Sequence, residues 1–179
     1  MYKWQRHEIK ITRTESGNSS NLRVKSARSI ARLFLEHAQA ADRESLWVLA
    51  LDSGNILLGI EEVYRGTSNE CHVRYPEVLR MPLVLNASSF VIVHNHPTGR
   101  VEASSPDLDL ARDLYRYGDD FGIELLDSVI VGPKGKHFSI RKARAGTPDP
   151  IWHNHIFPGP CWMQGELCTQ RDQTLEKTA

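Results

Sequence analysis

A chain of 179 residues with 40% hydrophobic and 25% charged residues has the composition of a soluble globular protein, long enough for one domain with a buried core and too short for two ordinary ones. Lysine plus arginine balance aspartate plus glutamate at 22 each, which removes a global electrostatic pull toward nucleic acid and leaves at most a local patch. No apolar run approaches the roughly 20 residues that cross a bilayer, the first residues are polar with no apolar segment behind them, and Cys71, Cys161 and Cys168 are widely spaced without a CxxC pair. No membrane span, signal peptide or disulfide framework is therefore expected, and the cytoplasm is the expected compartment.

In chain order, residues 7–14 set Ile9 and Ile11 among charged neighbours, the alternation of a half-exposed strand. Residues 15–21, with Gly17, read as a loop. Ser26 is a candidate N-cap, and Ala27, Ile30, Ala31, Phe34, Ala38 and Ala41 recur at three and four residues while Arg28, Arg32 and Glu36 fall elsewhere; this predicts one amphipathic helix with a solvated arginine face. Residues 46–51 form the next strand, Asp52-Ser53-Gly54-Asn55 supplies turn residues, and residues 56–64 return, which makes a hairpin. Glu62, near the end of the returning strand, shares a face with Ile60 and Tyr64 by alternation. Taken without its context it reads as an exposed glutamate.

Residues 76–86 can form a helix from Pro76, which Pro82 should shorten or kink. The run Phe90-Val91-Ile92-Val93 is short, β-branched and bounded by polar residues, a buried strand. His94 and His96 follow at its end, one residue apart, so period-2 alternation puts both imidazoles on one side. Asp107 comes eleven residues after His96, near the start of a helix that Ser104 can cap and whose first turn suits Pro106. Two neutral histidines and one carboxylate make a three-ligand zinc site with a fourth position left for water, the catalytic rather than the structural arrangement; a closed structural site would want cysteine, and this stretch has none.

The helix after Ser104 carries Leu108, Ala111, Leu114 and Tyr115 at helical spacing and ends before Gly122. Residues 123–131 read as a strand, 132–135 as a turn and 136–140 as a last strand. Strands alternating with helices, with a hairpin at each end, give the class α/β (α+β): a single mixed β-sheet between helical layers. After Ala145 the composition turns to Pro, Gly and polar residues, so residues 1–145 are expected to form the domain and 146–179 a loosely ordered tail. The tail holds a second His-x-His, His153 and His155, followed by Cys161 and Cys168. No Ser-x-x-Asp and no preceding strand glutamate accompany it, and it reads as surface tail.

With the residues in view, the chain resembles a known family. His94-Asn95-His96-Pro97-Thr98-Gly99, followed by Ser104-x-x-Asp107, is similar to the JAMM (MPN+) metalloprotease motif in its bacterial RadC form. The flanks extend the likeness over about residues 8 to 141: Glu61-Glu62-Val63-Tyr64-Arg65-Gly66-Thr67, Asn86-Ala87, and Gly122-Ile123-Glu124-Leu125-Leu126-Asp127. The resemblance implies a JAB/MPN, cytidine-deaminase-like architecture. It further implies that His94, His96 and Asp107 bind Zn2+, that Ser104 helps hold the oxyanion, and that Glu62, four residues before Gly66, is the general acid/base. Two departures stand out. Tyr75-Pro76-Glu77 replaces the family's Pro-Arg-Glu, and Asp127-Ser128 replaces Asp-His; neither touches the ligands.

Taken singly, each residue has an ordinary explanation: polar-loop histidines, a capping serine, a carboxylate favoured by a helix dipole. Jointly those explanations leave the spacing unaccounted for. The expected function is a zinc-dependent peptidase or isopeptidase acting on a peptide or protein substrate with an amide or isopeptide bond. A DNA-associated protein is the alternative from another class, suggested by the repair label attached to RadC proteins and unsupported by the net charge. A nuclease of the His-Asn-His type is a third, nominal one, because those enzymes spread their residues over a ββα element.

Overall fold

The computed structural model describes residues 22–39, 42–66 and 73–144. The strand expected at 7–14, the loop at 15–21, the tail at 146–179 with His153, His155, Cys161 and Cys168, and Cys71 lie outside the described residues. The elements are α1 Ala27–Leu33, α2 Leu35–Gln39, β1 Glu44–Leu51, β2 Leu57–Gly66, α3 Tyr75–Val84, β3 Ser89–Asn95, α4 Ser105–Asp120, β4 Glu124–Val131, β5 His137–Ser139 and α5 Ile140–Arg144. Among the described residues the strands form one five-stranded sheet in the order β2-β1-β3-β4-β5. Only β3 and β4 run parallel; the other neighbours are antiparallel. This is the expected mixed sheet flanked by helices.

The inner strands β1, β3 and β4 are almost wholly buried, which explains their unbroken apolar runs: helices cover both of their faces. On one face Trp47, Leu49, Leu51, Val91, Val93, Val129 and Val131 pack against Ile30, Ala31, Phe34 and Ala38 of the α1–α2 region. On the other, Leu46, Val48, Ala50, Phe90 and Ile92 pack against Val78 and Leu79 of α3 and Leu114 and Tyr115 of α4. Alternation along β3 places His94, two residues after Ile92, on this second face. At the far end of α4, Gly118 permits the closest approach, since a Cβ there would meet the Ile123 carbonyl at 2.4 Å and the Phe90 ring at 3.0 Å.

Three expectations need correction. The single helix expected from Ala27 to Ala41 is interrupted at Phe34, whose φ and ψ are −96° and 12°. The turn there lets the Phe34 ring pack on Trp47, centroids 5.1 Å apart, while the bonds Phe34 N to Ile30 O and Ala38 N to Phe34 O persist at 3.0 and 2.8 Å. Pro82 lies inside α3 rather than breaking it, and the helix ends two residues later at Val84, before Asn86 at φ 51°. The last strand is shorter than expected. Asp127 accepts hydrogen bonds from the Ser139 hydroxyl at 2.6 Å and the Arg141 amide at 3.2 Å, which turns the chain into α5 as Ile140 is buried. Among the described residues no helix is long and apolar enough to cross a membrane.

Candidate metal centre

β3 delivers His94 at its buried end and the chain then leaves the sheet through His96. Ser104 caps α4 with a reciprocal pair of bonds: its Oγ accepts from the Asp107 amide at 3.3 Å, and its own amide donates to Asp107 Oδ2 at 2.7 Å. This capping box fixes Asp107 at the third helical position with its carboxylate turned back toward the strand end. The result is that His94 Nε2 lies 3.1 Å from Asp107 Oδ1, and His96 Nε2 lies 3.4 Å from Oδ2. One donor atom from each of the three residues falls within 4.8 Å of the others. His94, His96 and Asp107 can hold a metal ion.

The electrostatics agree with that use. Burial by itself would raise the Asp107 pKa, but the close His94 and His96 nitrogens outweigh it and hold the carboxyl below the usual range. Hydrogen bonding to Asp107 raises the His96 pKa against the opposing effect of burial, and the Glu44 carboxylate adds to the rise. Both shifts say that this corner favours positive charge facing the carboxylate. His94 is 3% exposed, and neither of its ring nitrogens makes a hydrogen bond, although Nε2 lies 3.1 Å from Asp107 Oδ1. A buried nitrogen left unpaired is costly unless a ligand takes it, and a metal ion fits that vacant lone pair. His96 is better prepared: its Nδ1 lies 3.1 Å from the Arg100 carbonyl, which directs Nε2 toward Asp107. The loop carrying that carbonyl rests on the β4–β5 turn, where a Cβ on Gly132 would come within 2.7 Å of Val101 and 3.2 Å of the Gly99 carbonyl.

Ser104 thus sits among the ligands, with its hydroxyl donating to Asp107 Oδ2 at 2.6 Å. Glu62 does not. It pairs in register with Trp47, a residue of the α1–α2 face, and its carboxylate lies 3.8 Å from the exposed Arg65. Side chains directly opposite on neighbouring strands share a face, so Glu62 points away from the face that carries His94. Its neighbour Glu61 pairs with Val48 on the correct face but bonds Arg80 of α3. The glutamate whose charge reaches His96 is Glu44. β1 pairs Leu46 with His94, so alternation puts Glu44, two residues before Leu46, on the His94 face, and its charge acts on His96. Finding it required knowing that β1 neighbours β3; the only local signal is an acidic residue opening an apolar strand.

A family model described as a RadC-like JAB domain matches residues 24–145. A UPF0758 protein of Clostridium acetobutylicum is 33% identical over 122 residues, covering 68% of this chain and 53% of that protein. UPF0758 proteins of Desulforudis audaxviator and Desulfitobacterium hafniense are 34% and 36% identical over 109 residues, in each case 61% of this chain and 47% and 48% of theirs. The chain spans about half the length of the curated relatives it matches.

Proposed function

The chain belongs to the RadC-like JAB domain family, and from that premise we propose that it is a zinc-dependent hydrolase of amide bonds, a JAMM-type peptidase or isopeptidase. The observation that carries this reading is the convergence of His94, His96 and Asp107 within 4.8 Å at a strand end, with Glu44 on the same face. Two imidazole nitrogens, a carboxylate oxygen and no sulfur suit zinc. Zinc held by three such ligands lowers the pKa of bound water toward 7 and polarises a carbonyl.

The protein supplies the rest. Glu44 is assigned to take a proton at its carboxylate and return it to the leaving amine, the role the resemblance gave to Glu62. Ser104 has two tasks: its amide holds Asp107 Oδ2, and its hydroxyl, whose one proton goes to the same Oδ2, would turn that proton to the oxyanion. Arg100 orients His96 through its carbonyl. The substrate is a peptide or protein with an amide or isopeptide bond.

The test is zinc analysis of the reconstituted protein together with a peptide-library digest, with and without chelator. About one zinc per chain and chelator-sensitive cleavage are expected, both lost in His94→Ala/His96→Ala. Cleavage indifferent to chelator, or zinc retained by the double variant, would sink the reading. Salt-dependent DNA binding with no hydrolysis would favour the DNA-associated alternative.

A further inference from the structure

The residue between the two histidines has so far had no task. We propose that Asn95 is a positioning residue whose side chain clamps the backbone on both sides of Glu44 and so fixes that carboxylate beside the metal ligands. The inference rests on the assignment of Glu44 under the proposed function.

Asn95 is 1% exposed, and its amide reaches back across the sheet: Nδ2 donates to the Arg43 carbonyl at 2.8 Å, and Oδ1 accepts from the Ser45 amide at 3.0 Å. Only one orientation of the amide satisfies both contacts, since Ser45 N can only donate and Arg43 O can only accept. The backbone pairing of β1 with β3 ends at Leu46 and His94. Beyond that pair β3 runs on to Asn95 paired with Val131 of β4 alone, and Pro97 further along has no N–H to offer. The Asn95 side chain therefore stands in for the next rung of the ladder. The one residue enclosed between its two bonds is Glu44. Both of the peptide units that flank the Glu44 Cα are held, which limits where its carboxylate can swing. Asn95 itself points to the opposite face from His94 by alternation, so it acts through the backbone and not on the metal.

A buried asparagine with a merely structural role would cost stability without any specific link to Glu44, and the experiment separates the two. Wild type, Asn95→Ala, Glu44→Gln and the double variant are loaded with cobalt(II) in place of zinc. Metal content, the visible cobalt spectrum, amide hydrogen exchange at Ser45 and peptide-library hydrolysis are then read. In Asn95→Ala we expect full metal content and Ser45 exchange faster by roughly tenfold or more, the worth of one lost hydrogen bond. We further expect a spectrum altered in the same direction as that of Glu44→Gln, and kcat lowered on the order of tenfold or more with no further loss when both changes are combined. If Asn95→Ala fails to fold, Asn95→Leu serves, because it fills nearly the same volume and loses both bonds. Unchanged Ser45 exchange, or an equal effect of the Asn95 substitution with and without Glu44, overturns the proposal. A Glu44→Gln protein with wild-type spectrum and hydrolysis overturns the assignment of Glu44, and the positioning role with it; altered Ser45 exchange in Asn95→Ala would then distinguish that failure from an absent clamp.

Discussion

Asp107 of α4 and Asp127 of β4 are two buried aspartates, 8% and 1% exposed, and their surroundings drive them in opposite directions. Asp127 accepts hydrogen bonds from neutral donors, the Ser139 hydroxyl and the Arg141 and Ser128 amides. Burial, its largest influence, lifts its pKa to about 6 despite those bonds and a weaker pull from the Arg141 charge. Asp107 meets two imidazoles and is driven below the usual carboxylate range. Burial alone therefore does not set the direction in which a carboxyl's pKa moves; the groups that face it do. The β4–β5–α5 corner uses its aspartate as a structural cap, while the β3–α4 corner is built around a negative charge and two imidazoles that can hold a cation.

The largest expected effect comes from neutralising the second corner. Asp107→Asn should empty the site of zinc and take hydrolysis to near background, whereas Asp127→Asn should leave zinc content unchanged; elemental analysis of both variants checks the contrast. Metal affinity of the wild type should also weaken as pH falls through the raised pKa of His96, because the proton competes for Nε2. Chelator competition at stepped pH reads that trend, and pH-independent affinity would break the comparison.

Next in size is the pair of glutamates that β1 and β2 carry. Glu44→Gln should lower kcat on the order of 10²-fold with zinc retained, the usual worth of a positioned acid/base. Glu62→Gln should leave kcat unaltered. The reverse outcome would return the role to Glu62.

The Asp127 corner should show itself in stability. Its folded pKa of about 6 lies above the ordinary 3.8, so the folded state holds more protons between those values. Stability should then fall as pH rises from about 4 to about 6, by at most on the order of 3 kcal/mol, and level off above. Urea titrations across that range should show the decline in the wild type and its loss in Asp127→Asn. The smallest effect belongs to Glu62→Gln, which removes an ion pair of 3.8 Å with both partners exposed and should shift stability by less than about 0.5 kcal/mol.

Most of the fold can be read from the sequence because its signals are local. The apolar run at 90–93 between polar residues, the turn at 52–55, Ser104 three residues before Asp107 and Gly122 after α4 each act within a few residues. The same holds for the metal cluster, whose members come from one strand end and the helix that follows it. What was not legible depends on pairing between distant strands. Whether Glu62 or Glu44 faces the histidines is set by β1 lying between β2 and β3 and by the register shift between Leu46 and Trp47, which moves β2 by a residue and with it the face of every side chain. The interruption at Phe34 was hidden for a similar reason: the ring partner, Trp47, belongs to another element.

His94 and Asp107 stand thirteen positions apart in the chain, whereas Glu44 precedes His94 by fifty. The three candidate ligands are thus a product of short-range folding and the proposed base a product of long-range closure, which is slower because the intervening loop must be brought together first. A refolding chain should acquire its zinc before it acquires turnover, and zinc supplied early should stabilise β3 and α4 as a first-formed unit. Pulse-labelled hydrogen exchange during refolding tests this order: protection of the β3 and α4 amides should precede that of Ser45 when zinc is present, and simultaneous protection would refute it.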